Sequence, residues 1–191
     1  LLLAATEVFS EFTDGQRRPH HDVRIIMAAV WATATGLGLE RMAAASPGIT
    51  VGQLEWAAAN FITEETLDRA TALLVAYQSR LPFARHSGDG TTSSSDGQFV
   101  PVGRRPTGAG TINPKYGPMP GVKIYTHIND QYAAYHTRVL SATAPEAPFV
   151  LDGLVAHGGG KVINEHFTDT GGASDHVFAG CRMVGVRFMP R

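Results

Sequence analysis

Near residue 84 the spacing of apolar residues changes period, and this break limits the chain to a helical region followed by a mixed sheet. Over residues 23–45, Ile26, Ala29, Val30, Leu37 and Met42 recur at roughly helical spacing, with Asp22 placed as the N-cap. Gly36 and Gly38 predict a kink in that helix, and Ser46-Pro47-Gly48 ends it. Thr50 and Gln53 have capping-box spacing ahead of Leu54 to Ala59. Thr63 caps a further helix, in which Leu67, Ala70, Leu74 and Tyr77 form a stripe toward a core until Leu81-Pro82 stops it.

Beyond residue 84, Gly, Ser and Thr cluster over residues 87–97, and residues 101–121, rich in Gly and Pro, read as a long loop. Val122 to Ile128 alternates and is β-rich, so it predicts a strand; Tyr135 to Thr143 pairs with it through a turn at Asn129-Asp130-Gln131. Pro145-Glu146 opens a helix through Val150 and Leu154, closed by Gly158-Gly159-Gly160. Val162 to Thr168 is a strand, Ser174 caps a helix containing Val177, Phe178, Cys181 and Val184, and Val186 to Met189 is a last strand. From residue 91 the order is strand, long loop, strand, strand, helix, strand, helix, strand. An antiparallel start with a helix-linked, parallel continuation is a mixed α/β sheet. The expected division is therefore a helical region over 1–84 and a second domain over 85–191.

Composition narrows function less than fold. The 191 residues carry a formal net charge of −1, which argues against a strongly basic coat for nucleic acid but leaves room for local patches. One cysteine, Cys181, precludes an intrachain disulfide and suggests a reducing compartment; without a Cys or His at motif spacing it reads as a small core residue. No 18-residue apolar run is present, so no transmembrane helix is expected. Both ends run out of apolar stretches, as if the chain were cut from something longer.

Two acids stand out. Asp96 is placed at the end of the first strand, and Asp169, 73 residues later, at the end of another. Carboxylates meeting at strand ends repel unless a cation lies between them, and Mg²⁺ suits such oxygen sites. Asp beside Gly is also a common turn pair, and spacing alone leaves that reading open for both. His127, His136, His157, His166 and His176 are dispersed, without zinc spacing, and read mainly as surface or core histidines; Asp175-His176 could instead support the acidic pair. Gly88-Asp89-Gly90 and Gly158-Gly159-Gly160 lack the Lys-Ser/Thr of a phosphate-binding loop. Arg85, Arg104, Arg105, Lys115 and Lys123 gather in the long loop and its flanks, where phosphate contact or plain solvation would both fit.

Gly88-Asp89-Gly90-Thr91-Thr92-Ser93-Ser94-Ser95-Asp96-Gly97-Gln98 resembles the Tn-three family of replicative, cointegrate-forming DDE transposases of bacteria. Further blocks follow in the family's order: Lys115-Tyr116-Gly117, Pro120 to Lys123, Tyr125-Thr126-His127, Asp130-Gln131-Tyr132, Val150 to Leu154, His166 to Ala173, and Asp175 to Phe178. Ser87 departs from the Trp usual before Gly-Asp-Gly, and residues 100–113 match loosely. The resemblance implies a ribonuclease-H-like catalytic domain that cuts transposon 3′ ends and joins them to target DNA. It places the first two catalytic, metal-binding acids on Asp96 and Asp169, with Mg²⁺ as cofactor and Mn²⁺ as a substitute. The family's third acid, a Glu, lies beyond residue 191, and Glu165 does not replace it by position; the sheet is then expected to be incomplete at its C-terminal side and the isolated chain inactive. DNA is the implied partner, with homo-oligomers at full length and a place in the bacterial cytoplasm. A catalytically inactive DNA-binding remnant, or an unrelated metal-dependent phosphoesterase, stays open at this stage.

Overall fold

The computed structural model describes residues 7–102, 110–156 and 162–191. The chain divides into two compact units, Leu1–Leu74 and Val75–Arg191.

The first unit is helical. Helix α1 (Val23–Ala34) is capped by Asp22, whose side chain accepts from Arg24 N. The expected single helix over residues 23–45 is broken, because Gly36 and Gly38 adopt φ of 67° and 84°. Such left-handed backbone suits glycine and cannot continue a right-handed helix. Helix α2 (Leu39–Ala45) follows, then α3 (Val51–Phe61), which has the Thr50–Gln53 capping box in full. Ile25, Ile26, Ala29 and Ala32 of α1 pack with Leu54, Ala57 and Phe61 of α3 in one core. Helix α4 (Glu64–Gln78) starts at Thr63, whose hydroxyl accepts from Thr66 N. Its buried positions differ from the expected stripe: Leu67 and Leu74 are exposed, while Thr66, Ala70 and Val75 are buried. Thr66 can turn inward because its hydroxyl donates to Phe61 O at 2.7 Å.

The second unit carries the sheet. A short helix, α5 (Ala84–Ser87), precedes β1 (Thr92–Pro101). The loop expected over 101–121 contains a two-residue strand, β2 (Thr111–Ile112), and a 3₁₀ turn at Pro114–Tyr116. Strands β3 (Pro120–Asn129) and β4 (Ala134–Ser141) form the expected hairpin. Helix α6 (Ala147–Ala156), β5 (Glu165–Phe167), α7 (Asp175–Met183) and β6 (Arg187–Phe188) complete the order. The Gly158-Gly159-Gly160 stop assigned to α6 lies outside the described residues.

β3 pairs antiparallel with β1, β4 and β2, whereas β5 pairs parallel with β1 and β6 with β5. The result is a mixed, open sheet of six strands in the order β2-β3-β1-β5-β6, with β4 beside β3. This is the ribonuclease-H-like arrangement that the resemblance implies. Tyr125, Leu140, Val150, Leu154, Val177, Cys181, Val186 and Phe188 share its core. Ser174 caps α7 through Val177 N, and Gly185, at φ 81°, follows it. No described helix is long and apolar enough to cross a membrane.

Candidate metal centre

Asp96 stands in the middle of β1, opposite Thr126 of β3. It had been expected at a strand end, but β1 runs on to Pro101 because β3 keeps pairing with it to that point. The strand end that matters belongs to β5. Ser94 pairs with Phe167, and the same offset of 73 residues separates Asp96 from Asp169. β5 stops at Phe167, so Asp169 leaves the sheet beside the unpaired flank of β1 at Asp96. There it caps the 3₁₀ turn Thr170–Gly172, accepting from Gly171 N at 2.9 Å and Gly172 N at 3.2 Å. Backbone amides so placed fix the direction of the carboxylate.

A third carboxylate comes from Glu146, just ahead of α6. One oxygen from each of Asp96, Glu146 and Asp169 lies within 4.8 Å of the others. Three like charges at that range favour a cation among them. Lys123 supplies part of the compensation: its ammonium meets Glu146 at 2.8 Å and donates to Ala144 O at 2.9 Å. The pair fits because residue 97 is Gly; a Cβ there would sit 2.7 Å from Lys123 Cδ and 2.8 Å from Glu146 Oε1. The donor set is all carboxylate oxygen, which suits a hard divalent cation and not a soft one.

The sheet beneath the acids is polar but uncharged. Ser95 Oγ bonds the Tyr125 hydroxyl at 2.8 Å and His166 Nε2 at 2.8 Å, and Ser93 Oγ bonds His166 Nδ1 at 2.7 Å. Burial pushes Tyr125 up to about 12, with Glu146, Asp96 and Asp169 adding to the rise. Burial pushes His166 down to about 3 and His127 down to about 4. Both imidazoles are therefore neutral at pH 7. His127 Nε2 donates to Val150 O at 3.1 Å, and its Nδ1 has no hydrogen-bond partner among the described residues.

The acids open onto a cleft of about 710 Å³, lined by Ser94, Asp96, Tyr132, Phe167, Asp169 and Arg191 among others. Of the basic residues read as DNA contacts, Arg85 is exposed and lines a neighbouring depression with Arg80, Gly88 and Gln131. Lys115 is exposed, its ammonium 5.4 Å from the Tyr116 ring centre. Lys123 is 6% exposed and turned to Glu146, so the structure gives it to the acids and not to the surface. Arg104 and Arg105 lie outside the described residues, as does His157. Asp175 and His176 are exposed at the start of α7 and do not join the acidic group among the described residues. Glu165 pairs with Arg187 at 2.7 Å. Cys181 is fully buried, and burial raises its thiol pKa, as suits a core residue. Glu146 escaped sequence reading because an acid at the start of a helix has an ordinary explanation there. The cue it left was Lys123, a cation inside a β-alternation whose charge was read as a phosphate contact or as solvated.

The family described as "Tn3 transposase DDE domain" matches residues 2–191. The chain is 46% identical over 183 residues to the transposase for transposon Tn501 of Pseudomonas aeruginosa, covering 96% of this chain and 18% of that protein. It is 36% identical over 185 residues to the transposase for transposon Tn1546 of Enterococcus faecium, covering 97% of this chain and 19% of that protein. Identity to the transposase for transposon gamma-delta of Escherichia coli is 32% over 188 residues, with 97% and 19% covered. The chain thus spans about a fifth of the length of these relatives.

Proposed function

Because the chain belongs to the Tn3 transposase DDE-domain family, we propose that it forms the part of a DNA transposase where DNA strands are cut and joined. The observation that carries this is the parallel register of β1 and β5, which sets Asp96 beside Asp169 with Glu146 in reach. Asp96 and Asp169 are the catalytic acids and hold Mg²⁺, which Mn²⁺ can replace; the family resemblance supplies a further Glu from beyond residue 191. When bound, the metal activates the attacking oxygen and stabilises the leaving one.

The reaction is an in-line displacement at a phosphodiester. Water attacks the phosphorus at the transposon end; the P–O3′ bond breaks, and the departing oxygen takes a proton to become a 3′-hydroxyl. That hydroxyl then attacks a target phosphodiester, making a new P–O3′ bond and releasing a target 3′-hydroxyl. Asp169, fixed by two backbone amides, and Asp96, fixed in the sheet, do not reorganise as charge develops, and this rigidity is what such a site contributes. Arg85 and Lys115 meet DNA phosphates. The full-length protein acts as a homo-oligomer on terminal repeats and target DNA, in the bacterial cytoplasm.

The test is 3′-end nicking of transposon-end DNA in Mg²⁺ by the full-length protein. Asp96→Ala and Asp169→Ala should each abolish nicking and spare DNA binding. Nicking that survives Asp96→Ala would refute the assignment. The isolated 191-residue chain should not nick, since the resemblance puts one acid outside it.

A further inference from the structure

Tyr132 is one of two described non-glycine residues with positive φ, at 59°. A bulky side chain rarely adopts that conformation, and such strain persists only where surrounding structure imposes it. Here it does. Asn129 Oδ1 accepts from Gln131 N at 3.1 Å and Ala133 N at 3.0 Å, and Tyr132 N donates to Asn129 O at 2.9 Å. Gln131 is buried, its side chain donating to Gly88 O and its carbonyl accepting from Gln78 Nε2. Asp130 is tied to Gly90 N. Every neighbour of Tyr132 is pinned, and the tyrosine ring is pushed out, 82% exposed.

The ring borders the same cleft as Asp96 and Asp169. Arg191 lines the same cleft, and Arg80 and Arg85 line the depression bordered by Gln131, the residue before Tyr132. An exposed, rigidly presented aromatic on the rim of the cleft that holds Asp96 and Asp169 matches the chemistry of base stacking on a nucleic-acid strand. The cleft beside the ring mixes polar groups such as Ser94, Asn129 and Thr168 with apolar Ile128 and Phe167.

We propose that Tyr132 stacks on a base unpaired beside the scissile phosphate and so holds that strand against the acids. The inference rests on the transposase reading above. Two measurements on the full-length protein test it. In the first, 5-iodouracil replaces the base next to the cleavage position, and photocrosslinks are mapped by peptide mass. The crosslink should fall on residue 132 in the parent and in the inactive Asp96→Ala variant, and should vanish in Tyr132→Asn, which accepts positive φ but has no ring. In the second, nicking is compared on fully paired ends and on ends mismatched beside the cleavage position. Tyr132→Asn should lose roughly tenfold or more on paired DNA, the scale of one lost base stack, and recover on mismatched DNA. Tyr132→Trp should stay near the parent on both. Equal loss on both substrates, no loss on either, or a crosslink mapping elsewhere would overturn the proposal. A parent that crosslinks at residue 132 but nicks neither substrate would instead count against the cleavage reading while keeping the stacking role.

Discussion

Beside Asp96 and Asp169, a buried pair of opposite charges sets the local energetics. Lys123 and Glu146 form an ion pair with side chains only 7% and 12% exposed, so removing one partner strands a charge. Glu146→Gln should lower stability by about 3–5 kcal/mol and weaken Mg²⁺ binding. The double change Lys123→Met with Glu146→Leu should regain most of the stability and none of the Mg²⁺ affinity. Urea unfolding and titration calorimetry separate the two effects; recovery of both would show that Glu146 has no part in holding the cation. The buried histidines give a second residue-scale prediction. His127 and His166 sit well below the ordinary value near 6.5, at about 4 and about 3. Below pH 6.5 the unfolded chain takes up protons first, so their contribution is full above that pH and is lost as pH falls toward 4 and 3. Each should remove about 1.4 kcal/mol per pH unit in that window, and His166→Gln should flatten the slope of unfolding free energy against pH.

At the scale of elements, two helical glycines predict opposite outcomes. A Cβ on Gly153 of α6 would lie 2.4 Å from His127 Nδ1, whereas one on Gly52 of α3 meets nothing within 4 Å. Gly153→Ala should therefore cost about 1–3 kcal/mol by overpacking. Gly52→Ala should gain about 0.4–1 kcal/mol by restricting the unfolded chain. Denaturant midpoints at matched slope would check both, and stabilisation by Gly153→Ala would mean that α6 can move off the β3 histidine at little cost. In the first unit, Leu54→Ala should cost about 2–5 kcal/mol, because the α1–α3 core closes on a fully buried side chain.

For the whole molecule, a cation held by the folded state alone must raise its melting temperature by mass action. Mg²⁺ at about one hundred times its dissociation constant should add about 2.7 kcal/mol. The shift should be absent in Asp96→Asn and Asp169→Asn. Scanning calorimetry with and without Mg²⁺ would show it, and an equal shift in the variants would place the cation elsewhere.

Much of this was legible in the residues. Local signals stated their own outcome where the physics is local: the Asp22, Thr50, Thr63 and Ser174 caps, the glycines that cannot stay in a right-handed helix, and the alternation of β3. Ordered motif blocks tied the chain to its family. Position along the strand was not local. Asp96 looked terminal because Gly97 follows it, but pairing with β3 carries β1 on to Pro101. The inward face of α4 turned on one hydroxyl finding Phe61 O, which no periodicity reports. The fates of Lys123 and Glu146 were decided only when β1, β3 and the segment before α6 met, since opposite charges 23 residues apart in sequence have no preference for each other until a fold brings them into contact.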